Sequence, residues 1–470
     1  MGTDAGSALV VVQGELLLFA AVFFLLGSLD ELLIDLAYLW LRLTDGLRQT
    51  VPAATLRHEL GSSKLGAPVA VLIPAWQEAL VIGATIRHAL AVWPQEEVTL
   101  YIGCYFNDPA TIAAVRAASG GNPRVRLVTH DVPGPTCKAD CLNRIHTAMC
   151  SDEAERGEPY RFVVLHDAED MVDPAALALM DRAINDADFV QLPVLAVPHP
   201  QSLWVSGHYS DEFAEAHGKT MAMRSALGGA LPGAGVGCAI RRDMLGKLAA
   251  AKADGNPFNS GSLVEDYELG LTVARLGGKS QFLRVRAADG RLVATRAYFP
   301  ATLSAAVRQK TRWTHGIALQ GWDRIGWRGN YIDRYMLLRD RRGLLGAVLL
   351  ALGYLLMAVL GGNYALTVAG LVEKYAFSQW MQVLIAANLS LMIWRAAWRC
   401  MFTAREHGWR QGLLAVPRIL ISNVITIMSG WRAVAAYCRS LRGEEPRWDK
   451  TEHHLHPAVE LELAPEKLAA

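Results

Sequence analysis

The sequence predicts an α/β protein, a mostly parallel sheet covered by helices, with membrane helices before and after it. Two patterns carry that expectation. Between residues 64 and 330, apolar strand-like runs alternate with helical ones. That rhythm calls for parallel strands joined by crossover helices. Outside that stretch lie apolar blocks long enough to cross a bilayer, which takes about 20 residues. The composition agrees. The 470 residues are 52% hydrophobic and 19% charged, poorer in charge than the roughly 25% of an average soluble domain. Mean hydropathy is +0.19.

Charge excludes other classes. With 46 Lys+Arg against 45 Asp+Glu the net charge is +1. An electrostatically driven nucleic-acid binder needs a basic surplus. Abundant apolar residues exclude a disordered chain. Seven cysteines without a CxxC motif predict neither a secreted disulfide framework nor a zinc ribbon.

Taken in order, the first element is Ala8 to Leu29, an uncleaved transmembrane anchor (domain 1–30). No lysine or arginine precedes Arg42, so the positive-inside rule puts the amino terminus outside and everything after the anchor in the cytoplasm. Residues 31–63 read as an interfacial helix, rich in Leu, Ile and Trp with Asp30, Glu31 and Asp35, followed by a linker. After the catalytic stretch, residues 331–438 hold a hairpin of two spans, Leu344 to Leu360 and Ala376 to Trp394. Ile419 to Trp431, between Arg418 and Arg432, is too short for a roughly 30 Å core. It is expected to be interfacial or re-entrant, with both ends inside. Residues 439–470 read as a polar tail; its histidines His453, His454 and His456 could bind metal adventitiously, but a solvated tail is the plainer reading. No added carboxyl-terminal domain is expected beyond it.

In the middle, strands are expected at Val69–Ala75, Val98–Phe106, Val125–Thr129, Phe162–Leu165 and Phe189–Val197. Helices are expected at Leu80–Val92, Pro109–Ala118, Lys138–Met149 and Pro174–Asn185. Ligands of such sheets bind at the carboxyl ends of the strands. Three of those ends are acidic: Glu78 after the first, Asp108 after the second, and His166-Asp167-Ala168-Glu169-Asp170 after the fourth. If strand geometry persists, Asp167 and Glu169 share a face and Asp170 takes the other. Paired carboxylates suit Mg²⁺ or Mn²⁺, which also takes substrate phosphates. The plainer reading is a charged turn before a helix capped by Asp173.

The segments "IPAWQE", "FNDPAT", "PTCKADCLN", "HDAED", "GAGVGCAIRR", "VEDYELG" and "RQKTRW" resemble, in the same order, those of family 2 glycosyltransferases, such as cellulose and hyaluronan synthases. With the terminal "WDKT" and its following histidine, the likeness extends over nearly the whole chain to the NfrB-type, phage-adsorption inner-membrane transferases. The resemblance implies a GT-A fold at 64–330 and inverting transfer from a UDP- or GDP-sugar. Carried over by position, Glu78, Asp108, Lys138, Asp167 and Arg312 match donor-binding residues. Asp167 with Glu169 or Asp170 matches the metal site. Asp266, beside Glu265, matches the general base. Gln309, Arg312 and Trp313 match the Q-x-x-R-W motif over donor and acceptor, and Gly235 lies in the acceptor segment.

Elementary chemistry fits those roles. Arg312, Lys138 and a metal place positive charge where a departing diphosphate gains negative charge. Asp266 can act as base if burial and the neighbouring Glu265 raise its pKa toward neutrality. Trp313 offers a flat face for a sugar ring. The plainer alternatives are a cation–π pair of Arg312 with Trp313 and acidic residues at a helix start for Glu265-Asp266. Arg395 and Arg399 have cyclic-dinucleotide spacing, but their place at a membrane-helix end favours an anchor.

The expected protein is a multi-pass inner-membrane hexosyltransferase of a bacterium with a cytosolic catalytic domain, serving exopolysaccharide synthesis. Its acceptor is a growing polysaccharide or a lipid-linked glycan. The competing class is a non-catalytic scaffold or phage-receptor component. Three spans are few for a polymer channel, so export is expected to need an outer-membrane partner or a homo-oligomer. No nucleic acid is expected.

Overall fold

The structure is a computed structural model that describes residues 2–47, 64–287, 289–371, 376–444 and 453–459. Its central sheet has seven strands: β1 (Val69–Pro74), β2 (Val98–Tyr105), β3 (Val125–His130), β4 (Phe162–Leu165), β5 (Phe189–Gln191), β7 (Cys238–Arg241) and β8 (Ser280–Phe282). They run in the order β3-β2-β1-β4-β7-β5-β8. All neighbours are parallel except β7, which is antiparallel to β4 and β5. Val69 of β1 aligns with Val98 of β2 and Phe162 of β4. Central strands such as Val-Ala-Val-Leu-Ile are apolar on both faces because helices cover both.

One face carries α4 (Lys138–Arg156) and α9 (Glu265–Arg275); the other carries α2 (Ile82–Val92), α3 (Pro109–Ser119) and α5 (Ala176–Ala183). The expected single strand 189–197 is two. Pro193 interrupts it, and β6 (Val194–Ala196) pairs with β9 (Thr295–Ala297) in a separate small sheet. Proline lacks the N–H a continuous ladder needs.

Asp173 does not cap α5 as expected. Ala175 holds that place without a side-chain bond. Asp173 is wholly buried and receives Arg291 and Arg296, which ties the 166–173 turn to the small sheet.

The remaining helices are α1 (Gly2–Leu43), α6 (Val205–Glu215), α7 (Met221–Ala226), α8 (Arg242–Ala250), α10 (Leu303–Thr314), α11 (Gly321–Ile325), α12 (Tyr331–Arg341), α13 (Gly343–Val368), α14 (Gln379–His407) and α15 (Trp409–Ser440). Single π-turns follow α6 and α10. The anchor and the interfacial helix expected after it form one helix, α1. Three of its acidic residues have partners within the protein. Glu31 and Asp30 pair with Arg339 and Arg342, and Asp35 lies 2.5 Å from buried Lys219. Arg395 and Arg399 both pair with Glu215, so they bolt α14 to α6.

Among the described residues, three helices are long and apolar enough to cross a membrane: Val12–Leu43, Tyr331–Val368 and Trp409–Ser440. Most of the expected span Ala376–Trp394 falls in α14, which is not one of them; Gln379, Gln382, Asn388, Arg395 and Arg399 all interrupt its apolar residues. The segment 419–431 belongs to a helix of 32 residues, so shortness does not keep it from crossing.

Candidate active site

A cleft opens at the carboxyl ends of β1 and β4, where parallel sheets bind their ligands. Sheet topology puts it there. Trp76 and Glu78 follow β1, Asp167 and Glu169 follow β4, and Lys138 opens α4. Asp266 and Glu265 begin α9, while Gln309, Arg312 and Trp313 project from α10. Distant sequence segments thus line one space.

At its centre Lys138 Nζ lies 2.5 Å from Asp167 Oδ1. Burial works against its charge, but Asp167, Glu265 and Asp266 outweigh that and hold the ammonium protonated. Burial and neighbouring Asp266 push Glu265 up to about 7. Burial likewise raises Asp266, opposed by Lys138 and Arg312. Its Oδ1 accepts from the Tyr267 amide at 2.7 Å. The glycine loop 233–237 makes room for this carboxylate. Gly235 has φ +79°, and a Cβ there would lie 2.3 Å from Asp266 Oδ2. Gly235 itself is not among the residues lining the cleft, although its neighbours Ala234 and Val236 are.

A second group sits beside the first. His453 Nδ1 is 3.2 Å from Glu78 Oε1, and its Nε2 is 3.2 Å from Glu169 Oε1. One ligand atom from each of the three lies within 4.8 Å of the others. Two carboxylates and an imidazole fit Mn²⁺ better than Mg²⁺, which prefers an all-oxygen shell. Burial raises Glu169 to about 8, a rise that His453 opposes and Asp167 and Glu78 reinforce.

Sequence reasoning set His453 aside as a residue of a solvated tail. Part of the tail is not solvated: His453 lines the cleft, and His456 is 3% exposed with Nε2 3.3 Å from the Asp170 carbonyl oxygen. Only the order of "WDKT" and a following histidine signalled it.

Two expected residues stand apart. Asp170 borders the cleft, but its Oδ2 accepts from His166 Nδ1 and the Asp167 amide, both at 2.9 Å. Of Glu169 and Asp170, only Glu169 joins the group around His453. Asp108 does not line the cleft. It caps α3 through Thr111 and accepts the Gln77 amide at 2.5 Å, positioning the turn that carries Glu78.

One end of the cleft is lined by Trp76 and Tyr105, edge-to-face at 5.2 Å. The other is lined by Phe213, Tyr298, Phe299 and Trp313. Lys310, not Arg312, faces the Trp313 ring, at 5.5 Å. Gln309 Oε1 and Arg312 Nε are buried without a partner among the described residues. His315 is packed against Tyr437, outside the lining.

Comparison with known proteins accords with this geometry. Residues 67–316 match the model of "Glycosyltransferase like family 2". The chain is 33% identical over 463 residues to bacteriophage adsorption protein B of Escherichia coli K12, and equally to bacteriophage N4 adsorption protein B of strain O157:H7. The match covers 92% of this chain and 61% of each relative, so the chain spans less than two thirds of their length. Among solved structures, the mannosyltransferase PcManGT from Pyrobaculum calidifontis, in complex with GDP-Man and Mn²⁺, aligns with TM-score 0.51 at 17% identity. That alignment covers 86% of this chain and 99% of the other and shows a shared GT-A fold.

Proposed function

The chain belongs to the family 2 glycosyltransferases, and on that premise we propose that it transfers a hexose or N-acetylhexosamine, with inversion, from a UDP- or GDP-sugar to a glycan or lipid-linked acceptor. The observation that carries this reading is the convergence in one cleft of Asp266, Lys138, Asp167 and Arg312 with the Glu78–Glu169–His453 group. A surviving base and surviving diphosphate ligands favour an enzyme over a scaffold.

In this reading Asp266 accepts the proton of the acceptor hydroxyl as its oxygen forms a bond to the sugar anomeric carbon. The bond from that carbon to the diphosphate oxygen breaks on the opposite face. Lys138 and Arg312 stabilise the charge that the leaving nucleoside diphosphate gains. Trp76 and Tyr105 form a platform for the base. Glu78, Glu169 and His453 would hold Mn²⁺, which when bound supplies further positive charge to the diphosphate. Trp313 and Phe299 shape the acceptor end.

The catalytic domain works on the cytosolic face of a bacterial inner membrane, where nucleotide sugars are made, in exopolysaccharide synthesis. Export of a polymer falls to a partner protein or a homo-oligomer, because so few of the described helices are apolar enough to form a channel.

The test is a screen of purified protein against UDP- and GDP-sugars with Mn²⁺, following nucleoside diphosphate release and sugar transfer. Activity with one donor, lost in Asp266→Asn, is expected. Donor binding without turnover in the wild type would favour a scaffold.

A further inference from the structure

A second pocket lies at the far end of the helix that carries the base. Asp266 sits in the first turn of α9, whereas Leu271 and Arg275 of the same helix line this pocket. α12 contributes Asp333 and Leu337, α7 contributes Arg224, and the turn between α11 and α12 contributes Arg328. It shares no lining residue with the cleft. Leu271 and Leu337 are buried and give it apolar walls. Local sequence builds the rest. Gly326 and Gly329 have φ of +63° and +125°, so the chain turns sharply around Trp327 and Arg328. Asn330 and Asp333 then form a capping box at the start of α12.

The charges of this pocket are not balanced from within. Arg224 is 2% exposed. Its Nε donates to the Ala230 carbonyl at 2.5 Å and its Nη1 to Asp340 at 2.8 Å. Asp340 is shared, because it also accepts the Tyr267 hydroxyl at 2.7 Å. Nη2 of Arg224 is buried with no partner among the described residues. Buried donors are nearly always satisfied, and one on a charged group is the costliest to leave unmade. Arg275 donates to the Ile325 carbonyl, and no carboxylate among the described residues pairs with it. Arg328 is exposed and has no partner among them. Partial burial, then the Arg328 charge, lowers the pKa of Arg275, as expected where like charges face each other. Glu268 offsets this in part but is itself held by Arg324 at 3.0 Å. The pocket's own carboxylate does not help. Asp333 spends one oxygen on the Ala230 amide at 2.7 Å and the other on the Asn330 amide at 3.1 Å.

We propose that this pocket is a second anion site, separate from the cleft, which binds a phosphate group carried by a small phosphorylated molecule or by an anionic lipid head. Three guanidinium groups around one space suit the several oxygens of a phosphate, which arginine binds through paired N–H donors. Arg224 Nη2 serves the buried side, and Arg275 and Arg328 serve the mouth. The bound phosphate ties the end of α9 to the turn that leads into α12. The site stands independently of the transferase reading, because none of its residues touches the cleft.

The test follows thermal unfolding of the full chain. In neutral detergent, inorganic phosphate and glycerol 3-phosphate are titrated at constant ionic strength. In a second arm the protein sits in nanodiscs of phosphatidylcholine, with or without phosphatidylglycerol. A free phosphate ligand gives a saturable rise in Tm in the first arm. A lipid head gives a rise in the second arm with phosphatidylglycerol alone. Either supports the site if the variants agree. Arg328→Gln, at an exposed position, should keep the ligand-free Tm and raise the half-saturating concentration at least about fivefold. Arg275→Gln/Arg328→Gln should abolish the rise. Arg312→Gln, which alters the cleft, should retain it. No rise with any of the three phosphate probes, or a rise that survives in the double variant, would overturn the proposal; the second result would assign the effect to the cleft.

Discussion

Lys138 Nζ lies 2.5 Å from Asp167 Oδ1, and the same ammonium opposes the burial that raises the pKa of Asp266. One cation therefore holds the donor carboxylate and tempers the rise at the base. Lys138→Gln removes the influence that opposes burial at Asp266, so the base protonates at higher pH. The acid limb of the kcat/KM profile should move upward, with turnover at neutral pH falling about 100-fold. A pH–rate profile checks this; an unmoved acid limb would separate Lys138 from the base.

Stability should depend on pH through Glu265. Its pKa rises from 4.5 to about 7 on folding, through burial and then Asp266. The folded chain holds more protons than the unfolded one inside that window. Stability is therefore greatest below the unfolded pKa and falls as pH rises through the folded one. The slope for a single group is roughly 1.4 kcal/mol per pH unit. Thermal melts of the detergent-solubilised protein between pH 5 and 8 should show Tm falling, and Glu265→Gln should flatten the trend.

Removing Asp173 should unfold more than it disables. The carboxylate is wholly buried and receives Arg291 and Arg296. Taking one partner from a buried ion pair costs about 3–5 kcal/mol because the other charge stays desolvated. Asp173→Ala should lower the denaturant midpoint sharply, whereas Asp173→Asn, which keeps the bond from Ala175 N, should cost less.

What the sequence made legible was local. Alternating apolar runs located β1 to β4 within a residue or so, and acidic strand ends located Glu78, Asp167 and Glu169. What it hid depended on partners far along the chain. Asp108 and Asp170 look like site carboxylates because both follow strands, yet one caps a helix and the other holds His166. Arg418 looks like the polar end of a short apolar stretch, yet it is buried on Asp211 inside a helix that runs through it. No periodicity links His453 to Glu78, 375 residues away.

His453 should contribute to metal affinity and not only to activity. It bridges Glu78 and Glu169, so His453→Ala removes one of three donors and leaves two carboxylates. Mn²⁺ binding, followed by the loss of its free-ion spin-resonance signal, should weaken at least about tenfold. His454→Ala, an exposed neighbour, should match wild type. Equal Mn²⁺ affinity in the His453 variant would remove the tail from the site.

Gly235→Ala tests whether the glycine loop serves the base or the substrate. At φ +79° an alanine costs about 1–2 kcal/mol in backbone conformation, a modest loss of Tm. The chemical effect is larger. The added Cβ would lie 2.3 Å from Asp266 Oδ2 and 3.3 Å from Lys138 Nζ, so the carboxylate must swing away from its place beside the ammonium. The atoms nearest the new methyl belong to Asp266 and Lys138, not to Trp76 or Glu78. The variant should bind nucleoside diphosphate with little change while kcat falls at least about 100-fold, the range expected when a positioned base is lost. Isothermal titration with the diphosphate alongside turnover separates the outcomes. A raised acceptor KM with kcat preserved would instead place this loop in acceptor binding, and Asp266 would then keep its geometry despite the new methyl group.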